Sequence, residues 1–214
     1  MGYGGQSKEC VEFVQTHCQI IVAGNHDHAL LGKMSVSGYH EQVAETIIQA
    51  REQLSQTQLE WLYSLPMESF LEFDNLCVFL THAHPSDYKD WCYYPIGDQW
   101  QHPFTNPLGK PVFCFYGHTH RPSIQNTGAG SARMPVNPLE TYNFQASELS
   151  TWVINVGSCG QPRDGDNRAC SAVFDTQTQM LQFTRSTYDI NGTQAIFKAR
   201  GIPAFLIQRL QYGM

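Results

Sequence analysis

Phe113-Cys114-Phe115-Tyr116-Gly117-His118-Thr119-His120 is the stretch on which the fold turns. Its apolar run, preceded by Val112, reads as a buried strand, and Gly-His-x-His follows at once. Working outward, Leu76-Cys77-Val78-Phe79-Leu80-Thr81-His82 repeats the design, and Gln19-Ile20-Ile21-Val22-Ala23-Gly24-Asn25-His26-Asp27 gives a third version. Each run places a His or Asn at its carboxyl end, where open α/β sheets build their sites. Such a set points to a metal centre. It contains a single acidic residue, Asp27, whereas a hydrolytic two-metal site uses more.

Composition narrows the class. A chain of 214 residues, 42% hydrophobic and without a low-complexity tract, can bury one substantial core as a single domain over residues 1–214. A net charge of −6 argues against a nucleic-acid coat surface and against an electrostatic membrane anchor. No apolar run approaches the ~20 residues of a membrane span, and the first residues lack a signal peptide's basic-then-apolar order. Seven cysteines, an odd number with no Cys-x-x-Cys, fit reduced thiols in the cytoplasm. Cys77 and Cys114, inside apolar strands, are expected to act as small core hydrophobes.

Elements alternate along the chain, which favours α/β architecture. Ser7 is placed to cap a helix with Cys10, Val11, Val14 and Cys18 at helical spacing, leading into a strand at Ile20–Ala23. A second helix is expected from about Tyr39 to Ala50, with Val43, Ile47 and Ile48 on one face. A third starts near Thr57, buries Leu59, Leu62 and Leu65 beside Trp61, and stops at Pro66. Strands are expected at Phe70–Phe73, Leu76–Thr81, Val112–Tyr116, Thr151–Val156, Ala172–Asp175 and Met180–Tyr188. Two long irregular stretches, His84 to Pro111 and Pro122 to Ser150, are of the kind that carries function or lacks order.

Each motif also has a plainer meaning. A His-x-His arises by chance, Asn and Asp favour turns, and a lone His82 at a strand end is more often satisfied than ligating. What favours a metal is that three strand-end sites occur together, each after a nearly unbroken apolar run.

Gly24-Asn25-His26-Asp27, Thr81-His82, Gly117-His118-Thr119-His120-Arg121-Pro122 and Asn155-Val156-Gly157-Ser158-Cys159-Gly160-Gln161-Pro162-Arg163 together resemble the calcineurin-like metallophosphoesterase family, in its small bacterial and archaeal phosphodiesterase branch. The likeness extends through Tyr188-Asp189-Ile190 to Gly201-Ile202-Pro203 and Arg209-Leu210. It implies a sandwich of two mixed β-sheets flanked by helices. It also implies a dinuclear site in which Asn25, His82 and His118 bind one metal and His120 reaches the other, with His26 as general acid. Two cations roughly 3.5–4 Å apart would acidify a bridging water and hold the phosphoryl oxygens. Imidazoles suit Mn, Fe, Ni or Zn. Histidine's pKa near 6.5 suits protonation of an alkoxide leaving group. The partner implied is a small phosphate-ester substrate, with a homo-oligomer left open.

One departure stands out. The family opens with Asp-x-His on its first strand and Gly-Asp on its second, and residues ahead of Gly24 contain no Asp. Met1-Gly2-Tyr3-Gly4 and Glu9-Cys10-Val11-Glu12 resemble the residues that follow that Gly-Asp. The expectation is therefore an N-terminally shortened form lacking the first β-α-β unit, a unit of roughly 30 or more residues. Two missing strands would expose a sheet edge and favour aggregation or element swapping. Activity would be impaired, with one metal or none bound. The competing reading is a non-catalytic homologue that binds a metal or phosphate ligand. A structural zinc site fits poorly, since such shells are Cys-rich and Cys159 alone lies near these loops.

Further candidates are His28 and His84, which could touch substrate but are expected to be merely exposed near an open site. Arg163 is a phosphate contact or an ion-pair partner of Asp164 or Asp166. The aromatic cluster Trp91, Tyr93, Tyr94 and Trp100 reads as a lid, a base-stacking surface or packing.

Overall fold

The computed structural model describes residues 2–85, 89, 91, 109–126, 134–138, 140–144 and 150–214. Tyr93, Tyr94 and Trp100 lie outside the described residues. The chain forms two compact units, one of residues 1–67 and 189–212, the other of residues 68–188 with 213–214.

The first unit is helical. It contains α1 (Ser7–His17), α2 (Asn25–Leu30), a 3₁₀ turn (Val36–Gly38), α3 (Glu41–Glu52), α4 (Gln56–Ser64), α5 (Ile190–Ala199) and α6 (Ala204–Tyr212). Gln6, not Ser7, is the N-cap of α1; Ser7 is its first residue and is buried, with its amide on Gln53 Oε1 at 3.1 Å. Only Val11 of the anticipated α1 stripe is buried, whereas Cys10 and Cys18 are exposed. On α3 the buried face is Val43, Thr46, Ile47 and Ala50, and Ile48 faces solvent. α4 starts with a reciprocal cap. Ser55 Oγ accepts from the Gln58 amide at 3.2 Å, and Gln58 Oε1 accepts from the Ser55 amide at 2.9 Å. Val11, Leu30, Val43, Ile47, Leu54 and Leu62 form this unit's main core.

Ile20–Ala23 is not a strand. The Ala23 amide reaches the Pro66 carbonyl at 2.8 Å, but no ladder forms, and Ile20 is 46% exposed. An apolar run becomes a strand only where a neighbour supplies alternating hydrogen bonds, and no described segment does so here. Asn25-His26-Asp27 therefore opens helix α2 rather than ending a strand.

The second unit holds both sheets. The larger is mixed, with β1 (Glu68–Glu72), β2 (Cys77–Thr81), β3 (Val112–Tyr116), β4 (Ser123–Asn126), β5 (Met134–Pro135) and β7 (Thr151–Asn155) in the order β1-β2-β3-β7-β4-β5. β2, β3 and β7 run parallel, and β1 and β4 pair antiparallel beside them. The smaller sheet, β6 (Thr141–Asn143), β9 (Met180–Ser186) and β8 (Ala169–Asp175), pairs antiparallel, so among the described residues the larger sheet is mixed and the smaller is not. Val78, Phe113, Ile124 and Ile154 of the larger sheet pack with Cys170, Leu181 and Phe183 of the smaller, forming a sandwich core. Cys77, Phe79, Val112, Cys114, Tyr116 and Val153 are buried on the opposite face. Burial on both faces is why β2 and β3 read as continuous apolar runs rather than alternating ones. It also drives the Cys114 thiol far above its ordinary pKa, as expected of an inert core cysteine. β4, β5 and β6 fall in the stretch anticipated as irregular. No helix among the described residues is long and apolar enough to cross a membrane.

Candidate functional site

The parallel register sets the site. Tyr116 of β3 stands opposite Asn155 of β7, and Leu80 of β2 opposite Phe115, so the three carboxyl ends lie side by side. The Gly117 amide bonds the His82 carbonyl at 2.9 Å, and the Val156 amide bonds the Tyr116 carbonyl at 2.8 Å. These bonds extend the ladder beyond the strands and tie the three loops together.

Gly117–His120 then turns sharply. The Thr119 amide bonds the Gly117 carbonyl at 2.6 Å, which closes a γ-turn centred on His118. His118 has φ 56° and His120 φ 59°. Non-glycine residues enter this left-handed region at a cost of about 1–3 kcal/mol when the surroundings enforce it, and such outliers cluster at functional sites. Trp91, at φ 58°, belongs to the same neighbourhood, since its carbonyl accepts from His118 Nε2 at 2.9 Å.

The His82 and His118 rings stand 5.2 Å apart, inclined by 66°, and Trp91 lies 5.9 Å from His82. Burial, opposed by the bond to Trp91 and assisted by the charge of Arg163, holds His118 below its ordinary pKa, which favours the neutral ring. His120 Nδ1 donates to the Gln161 carbonyl at 2.6 Å, and the Arg163 amide returns a bond to the His120 carbonyl at 3.1 Å. A ring N–H held by a backbone carbonyl is the arrangement of metal-ligating histidines, because it fixes the tautomer. A neutral ring so held keeps its lone pair on the other nitrogen, Nδ1 at His118 and Nε2 at His120.

In the helical unit Asn25, buried at the first position of α2, donates through Nδ2 to Tyr39 Oη at 2.9 Å. His26 packs against Tyr3, ring centroids 4.3 Å apart, and edge-on to Tyr39 at 5.2 Å. Asp27 Oδ2 accepts the Gly24 amide at 2.8 Å. The lone acidic residue of the opening motif thus serves the start of its own helix.

The sequence profile of the calcineurin-like phosphoesterase superfamily domain matches residues 5–179. The chain belongs to the calcineurin-like phosphoesterase superfamily. An uncharacterised protein of Methanocaldococcus jannaschii is 30% identical over 100% of this chain and 83% of its own length. The crystal structure of a metallophosphoesterase from Sphaerobacter thermophilus superposes with a TM-score of 0.77 at 30% identity, covering 100% of this chain and 85% of that one. A hypothetical protein from Pyrococcus horikoshii OT3 shares the fold at a TM-score of 0.67 and 15% identity, with 100% and 82% covered.

Calcineurin-like phosphoesterases generally use divalent metals. His82 and His118 fit that need as an adjacent imidazole pair. Among the described residues no group of three or more His, Cys, Asp or Glu is placed to hold an ion. Three expectations change. His84 is buried, 4% exposed, and packs edge-on to Tyr116 at 5.2 Å, so it is a core residue of the strand ends. Arg163 does not take Asp164 or Asp166. Its Nη2 and Nε donate to Gln161 Oε1 at 2.8 and 3.2 Å, while Asp164 pairs with Arg185 and Asp166 with Arg168. His28 is half-buried, which lowers its pKa. The residue missed as a participant is Asn155, and its signal was an amide closing an apolar strand.

Proposed function

We propose that this chain is a phosphate-ester hydrolase of the calcineurin-like type, acting on small phosphodiesters or phosphomonoesters. Within that reading His82 and His118 share a divalent cation to which Asn25 also contributes, His120 serves a second, and His26 protonates the departing alkoxide. The observation that carries it is the adjacent His82–His118 pair, one ring neutral and tautomer-fixed. When bound, the cations supply Lewis acidity toward the phosphoryl oxygens and lower the pKa of water. The chain's own contribution is to hold imidazole lone pairs in place before the ion arrives and to keep a proton at His26.

The second reading is a metal- or phosphate-ligand-binding homologue without turnover. It is favoured by the lack of a carboxylate beside the histidine pair among the described residues. One experiment separates the two. Metal content per chain is measured after loading with Mn²⁺ or Zn²⁺, together with hydrolysis of bis-(p-nitrophenyl) phosphate. Stoichiometric metal with turnover abolished by His118→Ala supports the hydrolase. Bound metal without turnover supports the binding protein, and no bound metal removes the hydrolase and leaves only a phosphate-ligand-binding homologue.

A further inference from the structure

Asn155 is completely buried at the end of β7, yet no step of hydrolysis needs it there. Its carboxamide makes three bonds. Nδ2 donates to the Gly117 carbonyl at 2.6 Å and to Thr119 Oγ1 at 3.0 Å, while Oδ1 accepts the Gly157 amide at 2.9 Å. The first two grip the residues on either side of His118, at the base of the γ-turn. The third anchors the amide to its own loop. That loop continues to Gln161, whose carbonyl holds His120 Nδ1.

A polar side chain sealed in a core is retained only when its bonds are made, and here two of the three grip the turn around His118. The Gly117–His120 turn needs such a clamp. Two of its residues sit at positive φ without being glycine, and without enforcement they would relax toward commoner backbone conformations.

We infer that Asn155 is a positioning residue for His118 and His120: its carboxamide enforces the left-handed turn and so sets the aim and tautomer of both imidazoles before any cation binds. The functional consequence rests on reading these histidines as metal ligands, but the positioning itself does not. A supporting partner of this kind changes metal affinity by roughly 10–100-fold when removed.

The test compares wild type, Asn155→Ala and Val153→Ala. Val153 is buried two residues earlier on the same strand, so its truncation controls for general loss of stability. Long-range ¹H–¹⁵N spectra of the metal-free protein report which imidazole nitrogen carries the proton, and calorimetry with Zn²⁺ reports affinity. In Asn155→Ala, His118 and His120 should lose their single-tautomer signals and Zn²⁺ should bind at least about tenfold more weakly, with both unchanged in Val153→Ala. Should Asn155→Ala fail to fold, Thr119→Val removes one of the two acceptors and should move both readouts the same way by less. Unchanged tautomers in the Asn155 or Thr119 variant, or an equal change in Val153→Ala, would overturn the inference. If wild type binds no Zn²⁺, the proposed function fails while the tautomer signals still decide the role of Asn155.

Discussion

At the scale of single residues, the loop after β7 is built around constraints that only one residue type meets. Gly157 has φ +78°, and a Cβ there would lie 2.8 Å from Cys170 Sγ and 3.0 Å from Cys170 Cβ. Gly157→Ala therefore combines backbone strain with a clash in the sandwich core, and should cost about 2–4 kcal/mol in urea denaturation. Adding Cys170→Ala relieves the contact with sulfur but not the φ, so the double variant should recover only part of the loss. A second residue-level prediction concerns acid. The bidentate Arg168 guanidinium holds Asp166 down to about 2, against an ordinary value of 3.8. A depressed carboxylate stabilises the fold above its unfolded pKa and loses that contribution as pH falls through the folded one. The stability gap between wild type and Asp166→Asn should accordingly be constant above pH 5 and vanish between about pH 4 and 2. Because Arg168 is 45% exposed, the gap should be modest and shrink in salt.

At the scale of elements, the reciprocal Ser55–Gln58 cap is a device confined to the start of α4. Ser55→Ala should lower stability by about 1 kcal/mol without altering helix content, measured by thermal unfolding followed by circular dichroism. The elements also show what a sequence can reveal. β3 has the bounds its apolar run predicts, Val112–Tyr116, and β2 and β7 differ by one residue, because strands buried on both faces leave an unbroken signature. β4 left none. Ser123-Ile124-Gln125-Asn126 holds one apolar residue, and its strand character comes from pairing with β7, which is not written locally. The same reasoning runs in reverse at Ile20–Ala23, where the signature is present and the pairing is not. Site residues followed this division. His82, His118 and His120 were legible as polar residues ending apolar strands. Asn155 was legible as a motif residue but not as a clamp, since its role depends on which strand lies beside it. The burial of His84 likewise depends on Tyr116, more than 30 positions away in the chain.

At the scale of the whole molecule, a bound metal acts through the stability of the fold, and His82 and His118, both in the sandwich unit, give that effect a local readout. A ligand that binds only the native state stabilises it by RT ln(1 + [L]/Kd), about 2.7 kcal/mol at a hundredfold excess over Kd. Amides whose exchange requires opening of the liganded structure slow accordingly. With Zn²⁺ or Mn²⁺, exchange should slow at Thr81–His82 and at Gly117–His118, and both segments should follow the same dependence on free metal. His118→Ala should abolish the effect at Thr81–His82 as well, because the pair would share one ion. Slowing at one segment alone would remove the other histidine from the ligand set, and two distinct metal dependences would mean separate ions. Hydrogen exchange read by mass spectrometry across a metal titration distinguishes these outcomes, and it does so without requiring any turnover of a phosphate ester.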